Sequence, residues 1–496
     1  MGEPGRLSDA TLGALPAPVE RPRYDRAKVS AGIVHLGIGA FHRAHQAACT
    51  DAVLAEDMGW GIVGASLRSA ETRDALSPQD GLYTLAIRSG AGETLRVIGA
   101  VTRVLVAPED PEALIAAMAD PRIRIVSLTV TEKGYCHDPA TGGLNEDHPD
   151  VIHDLRGTEA PRSAPGIVIE ALARRRSAGL APFTVLSCDN LPSNGRLTKR
   201  ILRRFAQLRD PALGAFVEAE LGCPSSMVDR ITPATTDDDR AGIAQALGVL
   251  DAWPVITEPF TQWVIEDRFP AGRPHWERAG AELVADVEPY ELMKLRLLNG
   301  PHSTLAYLGY LAGYQTVAEV MADEAFGSLV QRLMDDEITP TLAVPPGVDI
   351  ASYTAALRDR FRNPALKHRT WQIAMDGSQK LPQRLLGSIR DRLRAGASFD
   401  CLALGVAAWM RYVTGVDEKG NAIDVRDPLA AELRAIAASA GLFADRLAPA
   451  LLRLETIFGS DLPEHPRFVE TVTAALDRLL RTGTSRSVAD VNARRT

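Results

Sequence analysis

The first third of the chain alternates short apolar runs with longer stretches of helical periodicity. Ile33–Leu36 is an apolar run that stops at Gly37, and His42–Ala55 follows with a helix-like pattern. Gly61–Ser66 is a second apolar run. Arg96–Ala107, Ile123–Val130 and Phe183–Ser187 read as further strands, with Pro165–Ala178 as a helix before the last of them. Apolar runs without polar alternation, set between helices, predict a parallel sheet covered on both faces.

Beyond about residue 286 the strand-like runs give way to helical patterns, among them Pro289–Leu311, Glu324–Ile338, Ser352–Phe361, Pro382–Arg394, Leu402–Thr414 and Pro466–Arg481. Pro and Gly separate many of these stretches. The pattern divides the chain into a flexible lead-in over 1–28, an α/β domain over 29–285 and a mostly α-helical C-terminal domain over 286–496. The run Thr236-Asp237-Asp238-Asp239-Arg240 reads as a solvated helix start.

Composition narrows the function classes. The 496 residues include 55 Lys plus Arg and 63 Asp plus Glu, for a net charge of −8. An acidic balance argues against nucleic-acid partners, since phosphate neutralisation needs clustered cations. The five cysteines, Cys49, Cys136, Cys188, Cys223 and Cys401, contain no C-x-x-C pair. They read as reduced thiols, consistent with a cytoplasmic location. The N-terminus has no apolar signal-like region. The longest apolar run, Cys401–Met410, is shorter than the ~20 residues of a membrane span, so no membrane partner is expected.

The first strand runs into Gly37-Ile38-Gly39-Ala40-Phe41-His42. The order strand, glycine turn, helix is that of a dinucleotide-binding turn. The first glycine permits the tight turn, and the second lets the backbone approach a pyrophosphate at a helix N-terminus. His42 stands where a third glycine would complete the fingerprint, so a plain strand-to-helix turn also fits. Position and order favour a Rossmann-type dinucleotide-binding domain, with Gly37, Gly39, Ala40 and Phe41 lining the cofactor. Past the second strand, Glu71 is the candidate carboxylate for the ribose hydroxyls, favouring NAD over NADP. It could equally be a surface carboxylate, and Arg68 nearby could tolerate a 2′-phosphate.

The chemistry-bearing pattern is Glu291-Leu-Met-Lys294-Leu-Arg-Leu-Leu-Asn299-Gly-Pro-His302. On an ideal helix Lys294, Asn299 and His302 fall at about 0°, 140° and 80°, on one broad face. A lysine among leucines has its charged form disfavoured, which suits a general base. Asn299 can donate to an oxyanion, and His302 can orient a hydroxyl. A plain amphipathic helix fits the same spacing. Ser187-Cys188-Asp189-Asn190 and Thr131-Glu132-Lys133-Gly134-Tyr135 each follow a strand, where parallel sheets present active-site groups, although an Asx turn and a polar loop fit as well. His42 and His45 lack a metal-ligand partner, and no metal is expected.

Read together, Gly37-Ile-Gly-Ala-Phe-His-Arg-Ala-His45, Ser127-Leu-Thr-Val-Thr-Glu-Lys-Gly-Tyr135, Ser187-Cys-Asp-Asn190, Met227-Val-Asp-Arg-Ile-Thr-Pro233 and Lys294 to His302 resemble the mannitol dehydrogenase family of long-chain polyol dehydrogenases. The likeness spans nearly all the chain after about residue 30. It implies a metal-independent, NAD-linked oxidoreductase with an active site between a Rossmann-type and a helical domain. It makes Lys294 the general acid/base, Asn190 and Asn299 the oxyanion hole, and His302 the group that positions the substrate hydroxyl. Asp229 and Glu291 match positions lining a polar path near that lysine, and Glu132 matches an acidic active-site residue. The stretch from Asn363 to Arg384 and Gly405-Val-Ala-Ala-Trp-Met-Arg-Tyr412 most resemble the fructuronate reductase (mannonate oxidoreductase) branch. That branch implies interconversion of D-mannonate and D-fructuronate. Alternatives are a mannitol 2-dehydrogenase or related polyol dehydrogenase, and an inactive nucleotide-binding sensor. A sugar acid needs a cation for its carboxylate, and His368, Arg369 and Lys380 are the expected suppliers, against the alternative of salt bridges or helix-end cations. The partner expected is therefore a small sugar acid or polyol, and the family likeness is compatible with a monomer. Pro301 stands where the family usually has serine, so the catalytic helix is expected to kink there.

Overall fold

The computed structural model describes residues 5–138, 141–366 and 368–494. The chain divides into two compact units, Met1–Glu288 and Pro289–Thr496. The first is built on a five-stranded sheet of β1 (Ala31–Leu36), β2 (Gly61–Ser66), β5 (Val101–Val106), β6 (Ile125–Leu128) and β7 (Thr184–Ser187). Its order is β5-β2-β1-β6-β7 and every pair is parallel. The apolar runs form it because both faces are covered. Val34 and Leu36 pack in one core with Val63, Val126 and Leu128, while Ile33 packs on the other face with Ile62, Ile125 and Leu186. Each such side chain contributes about 1.5–3 kcal/mol of burial. The chain reverses its direction of travel across the sheet between β1 and β6, which opens a crevice at the carboxyl ends of these strands.

Two smaller sheets complete this unit. One pairs β3 (Tyr83–Ser89) with β4 (Gly92–Ile98) and β9 (Val255–Thr257), and the other pairs β10 (Gln262–Glu266) with β8 (Ser226–Asp229) and β11 (Glu282–Val284). The run expected as one strand, Arg96–Ala107, is divided. Its first part is the antiparallel partner of β3, and after Gly99-Ala100 it joins the parallel sheet beside β2. Likewise His42–Ala55 is not one helix. It breaks at His45 (φ −112°, ψ −86°) into Ala40–Ala44 and Gln46–Val53. Thr236 does start a helix, in a capping box with Asp239. The lead-in, read as flexible, is anchored in its described part. Leu7, Leu15 and Val19 are buried against Leu82, Val97 and Ile256, and the Leu7 N–H donates to the Leu250 carbonyl. Apolar residues spaced too widely to show a period still find a core there.

The second unit is helical. Its centre is Asp400–Tyr412, in which every side chain from Cys401 to Tyr412 is buried. It packs against Gly300–Ala312 and Pro466–Thr482. Its N-terminus has no capping side chain of its own. The buried Glu337 carboxylate accepts instead from the Cys401 (2.8 Å) and Leu402 (2.9 Å) N–H groups, satisfying orphan donors at the positive end of the helix. Among the described residues no helix is long and apolar enough to cross a membrane.

The stretch around Pro301, where a kink is expected, contains a π turn. Helix Glu288–Lys294 widens into a π turn, Leu295–Asn299, and continues as Gly300–Ala312. The Gly300 N–H reaches back five residues to the Leu295 carbonyl. Pro301 has no N–H to place and would crowd the Leu297 carbonyl in a regular α-turn. The wider turn absorbs both problems without breaking the helix.

Candidate functional site

In the first unit the site grows from the end of β1. Gly37 has φ +92°, and a Cβ there would lie 2.2 Å from the Thr129 carbonyl oxygen, so both conformation and space demand glycine. At Gly39 a Cβ would meet nothing nearer than 3.8 Å. That open flank is what a backbone must offer to an approaching pyrophosphate. The missing third glycine has a physical replacement. His42 lays its ring flat on that of His35 in β1, with centroids 3.4 Å apart and planes 13° apart. Close helix-to-strand packing is achieved by two stacked rings in place of a bare glycine. Burial holds His42 well below its ordinary pKa and His35 at about 3, so both are neutral. His35 Nε2 also bonds Thr129 Oγ1 (2.8 Å), whose hydroxyl donates to the Gly37 carbonyl (2.8 Å). This network braces the glycine turn from beneath. Ala40 and Phe41 open the short helix that follows. Glu71 is exposed in the first turn of Glu71–Leu76, beyond the end of β2.

The carboxyl ends of β6 and β7 are tied together. Thr131 has φ +64°, an uncommon state for a β-branched residue. The Asp189 carboxylate holds it there, accepting from the N–H groups of Val130 (3.0 Å) and Thr131 (3.0 Å) and from the Tyr135 hydroxyl (2.7 Å). Burial raises the Asp189 pKa even though these donors oppose the shift. Glu132 and Asn190, adjacent to the two ends of this clamp, are exposed. Asn194 braces the same loop, its amide donating to the carbonyls of Ser187, Asp189 and Ser226. Asp189, Tyr135 and Asn194 were missed as positioning residues. The signal is present for Asp189 and Tyr135, which lie inside the polar clusters after β7 and β6, and absent for Asn194. Asp229 is buried at the end of β8.

In the second unit Lys294 is 8% exposed and ends the helix leading into the π turn, with Glu291 half-buried in the same helix. Asn299 closes the π turn. Where each N–H reaches back five residues, positions five apart stack more nearly above one another than the 140° of an ideal wheel. The π turn therefore draws Lys294 and Asn299 toward one side. His302 follows in the first turn of Gly300–Ala312, its ring stacked on Phe361 (5.1 Å) and edge-on to His368 (4.7 Å). Its Nε2 is buried and has no hydrogen-bond partner among the described residues. Burial, and after it His368, Arg384, Arg360 and Lys380, hold His302 well below its ordinary pKa. Burial likewise brings His368 to about 4.

The three expected carboxylate suppliers therefore part company. His368 touches His302. Lys380 directs its ammonium at the Ile373 (3.3 Å) and Met375 carbonyls, the helix-end role weighed against substrate binding. Arg369 is exposed, with its backbone bridged to Thr316. Arg384 and Arg360, neither singled out from the sequence, join the surroundings of His302. Arg296 does not, because it pairs with Asp391 and the Thr341 carbonyl. Among the described residues no group of three or more His, Cys, Asp or Glu is placed to hold a metal ion.

Comparison with known proteins agrees with this architecture. The family model for the mannitol dehydrogenase Rossmann domain matches residues 31–278, and that for the mannitol dehydrogenase C-terminal domain matches residues 286–480. The chain is 50% identical to the D-mannonate oxidoreductase of Escherichia coli (strain K12) over 477 residues, 95% of this chain and 98% of that one. It is 44% identical to a mannitol 2-dehydrogenase of Phaeosphaeria nodorum over 475 residues, 94% of this chain and 82% of that one. The solved mannitol 2-dehydrogenase of Pseudomonas fluorescens, in ternary complex with NAD and D-mannitol, superposes with a TM-score of 0.87 at 40% identity, covering 99% of this chain and 100% of that one. A parallel sheet with a glycine turn, a helical unit carrying Lys294, Asn299 and His302, and family matches over both units lead to one conclusion: the chain belongs to the mannitol dehydrogenase family of oxidoreductases, which act on CH–OH groups.

Proposed function

We propose that this enzyme interconverts D-fructuronate and D-mannonate using NAD(H). The observation that carries the reading is a guanidinium beside His302: Arg384 Nη1 donates to Ser303 Oγ (2.9 Å), on the turn that carries that imidazole, and no described carboxylate pairs with it. A sugar acid's carboxylate can form a charge-assisted pair with that cation, which a neutral polyol cannot. The 50% identity to a D-mannonate oxidoreductase supports it. The runner-up is mannitol 2-dehydrogenase activity, favoured by the likeness to proteins of that name.

The glycine turn fits a dinucleotide. Gly37, Gly39, Ala40 and Phe41 would hold its pyrophosphate end and Glu71 its adenosine ribose, and when bound NAD(H) supplies the hydride chemistry. The chain's own residues do the rest. Hydride can leave a carbinol carbon only as the hydroxyl proton departs, so a base is needed. Lys294 takes that proton in oxidation and returns it in reduction. The amides of Asn190 and Asn299 donate to the developing alkoxide, where losing one such donor costs on the order of 10²–10³ in rate. His302, neutral and with Nε2 unpartnered among the described residues, accepts from or donates to a substrate hydroxyl and fixes its orientation. By the family likeness Asp229 and Glu291 line the polar path near Lys294, and Glu132 is an acidic residue of the active site.

The test is a panel in the oxidative direction, with initial rates on D-mannonate and on D-mannitol, each with NAD and with NADP. The proposal expects D-mannonate with NAD to give the highest kcat/KM. Faster D-mannitol oxidation would transfer the enzyme to the runner-up reading.

A further inference from the structure

Among the described residues around His302, Arg384 is a cation whose bonding is incomplete. Arg384 sits in a second π turn, Pro382–Leu386. This turn lies against the catalytic helix so closely that a Cβ on Gly300 would be 2.7 Å from the Arg384 carbonyl oxygen. The arginine backbone is thereby held at a set distance from Asn299 and His302. Its side chain is half-buried, and Nη1 donates to Ser303 Oγ (2.9 Å), on the turn that carries His302. Nε and Nη2, the edge suited to a planar two-oxygen acceptor, make no hydrogen bond among the described residues, and no described carboxylate pairs with the guanidinium.

The neighbouring cations differ. Lys380 is committed to backbone carbonyls, Arg360 is already engaged, and Arg296 is paired with Asp391. Desolvation without a compensating anion is costly for a guanidinium, and here it lowers the Arg384 pKa, with only Tyr307 acting in the other direction. The natural relief is an anion that arrives with the substrate.

We propose that Arg384 is the specificity residue that receives the carboxylate of the sugar acid, with Ser303 holding one side of the guanidinium and the Nε–Nη2 edge forming two parallel N–H···O bonds. The inference rests on the sugar-acid reading above. It assigns to Arg384 the role expected from the sequence for His368, Arg369 and Lys380. A lysine could supply the charge but not the two-pronged edge.

The test compares kcat/KM for D-fructuronate and for D-fructose, both with NADH, in the wild type, R384M, R384K and S303A, with melting temperatures recorded for each. The wild type is measured first. A preference for fructose there would overturn the sugar-acid reading and this inference with it, before any variant is made. Given a preference for fructuronate, R384M should lose on the order of 10²-fold more on fructuronate than on fructose, chiefly through KM. R384K should fall between, because it keeps charge and loses the fork. S303A should raise the fructuronate KM more than the fructose KM, by a smaller factor. Parallel losses on both substrates in R384K, with an unchanged melting temperature, would mean that Arg384 shapes the site without reading the carboxylate. An unaltered fructuronate KM in R384M would overturn the assignment outright.

Discussion

Gly300→Ala is a sharp probe of how the helix carrying Lys294, Asn299 and His302 is held. In an ordinary helix interior this change stabilises, by roughly 0.5–1 kcal/mol, since alanine has the higher helix propensity. Here the added methyl would sit 2.7 Å from the Arg384 carbonyl oxygen, where ordinary contact begins at 3.4 Å. The obstacle is backbone and cannot rotate away, so the start of Gly300–Ala312 and the π turn Pro382–Leu386 must separate by about 0.7 Å. Overpacking of this kind costs about 1–3 kcal/mol, which reverses the sign of the propensity effect. The separation falls between Asn299 and His302 on one side and Arg384 on the other. A displacement approaching 1 Å among substrate-positioning groups costs on the order of 10² in kcat/KM. Thermal or urea unfolding reads the first effect, and steady-state rates of NADH oxidation read the second. A G300A variant that melts at or above the wild-type temperature with full activity would refute the close approach and the positioning argued from it.

Further outcomes follow from the same geometry. Lys294→Ala should abolish turnover while NADH binding, followed by fluorescence, survives; retained turnover would remove Lys294 as the base. Asp189→Ala deprives two N–H groups and the Tyr135 hydroxyl of their acceptor and should cost about 3 kcal/mol or more in urea unfolding. A loss below about 1 kcal/mol would mean the Thr131 turn stands without it. His35 (pKa about 3) and His368 (about 4) are neutral when folded and bind protons near pH 6.5 when unfolded. The unfolded chain therefore gains protons first as pH falls through 6.5, and stability is lost between there and the folded values. At pH 5 this amounts to about 2 kcal/mol for each histidine relative to pH 8, one in each unit. Melting temperatures that do not fall between pH 8 and pH 5 would contradict the buried, neutral assignment.

Much of this fold and site was legible in the chain. Uninterrupted apolar runs mean strands buried on both faces, so β1, β2 and β7 could be read with their glycine turn, and the loss of such runs separated the helical unit. The polar residues after the strands and along the catalytic helix stood out because chemistry-bearing groups there break an apolar pattern. What escaped is what periodicity does not encode. Arg96–Ala107 keeps its β-branched character while changing sheets, and only Gly99 marks the exchange. The π turns at Leu295–Asn299 and Pro382–Leu386 shift the period by one residue, which a wheel drawn at a constant angle averages away. Arg384 lies 82 residues beyond His302 in the chain and is brought close by packing alone. Lys380, by contrast, looked available because the backbone carbonyls it caps have no sequence signature.

Whether the site is built for a sugar acid is decided in one vessel by competition. Equal concentrations of D-fructuronate and D-fructose are supplied with limiting NADH, and the products are quantified. The ratio of D-mannonate to D-mannitol then gives the ratio of kcat/KM values in a single vessel. D-mannonate should be in excess by at least about 10²-fold, the worth of one well-placed charged pair. Equal products, or an excess of D-mannitol, would contradict it.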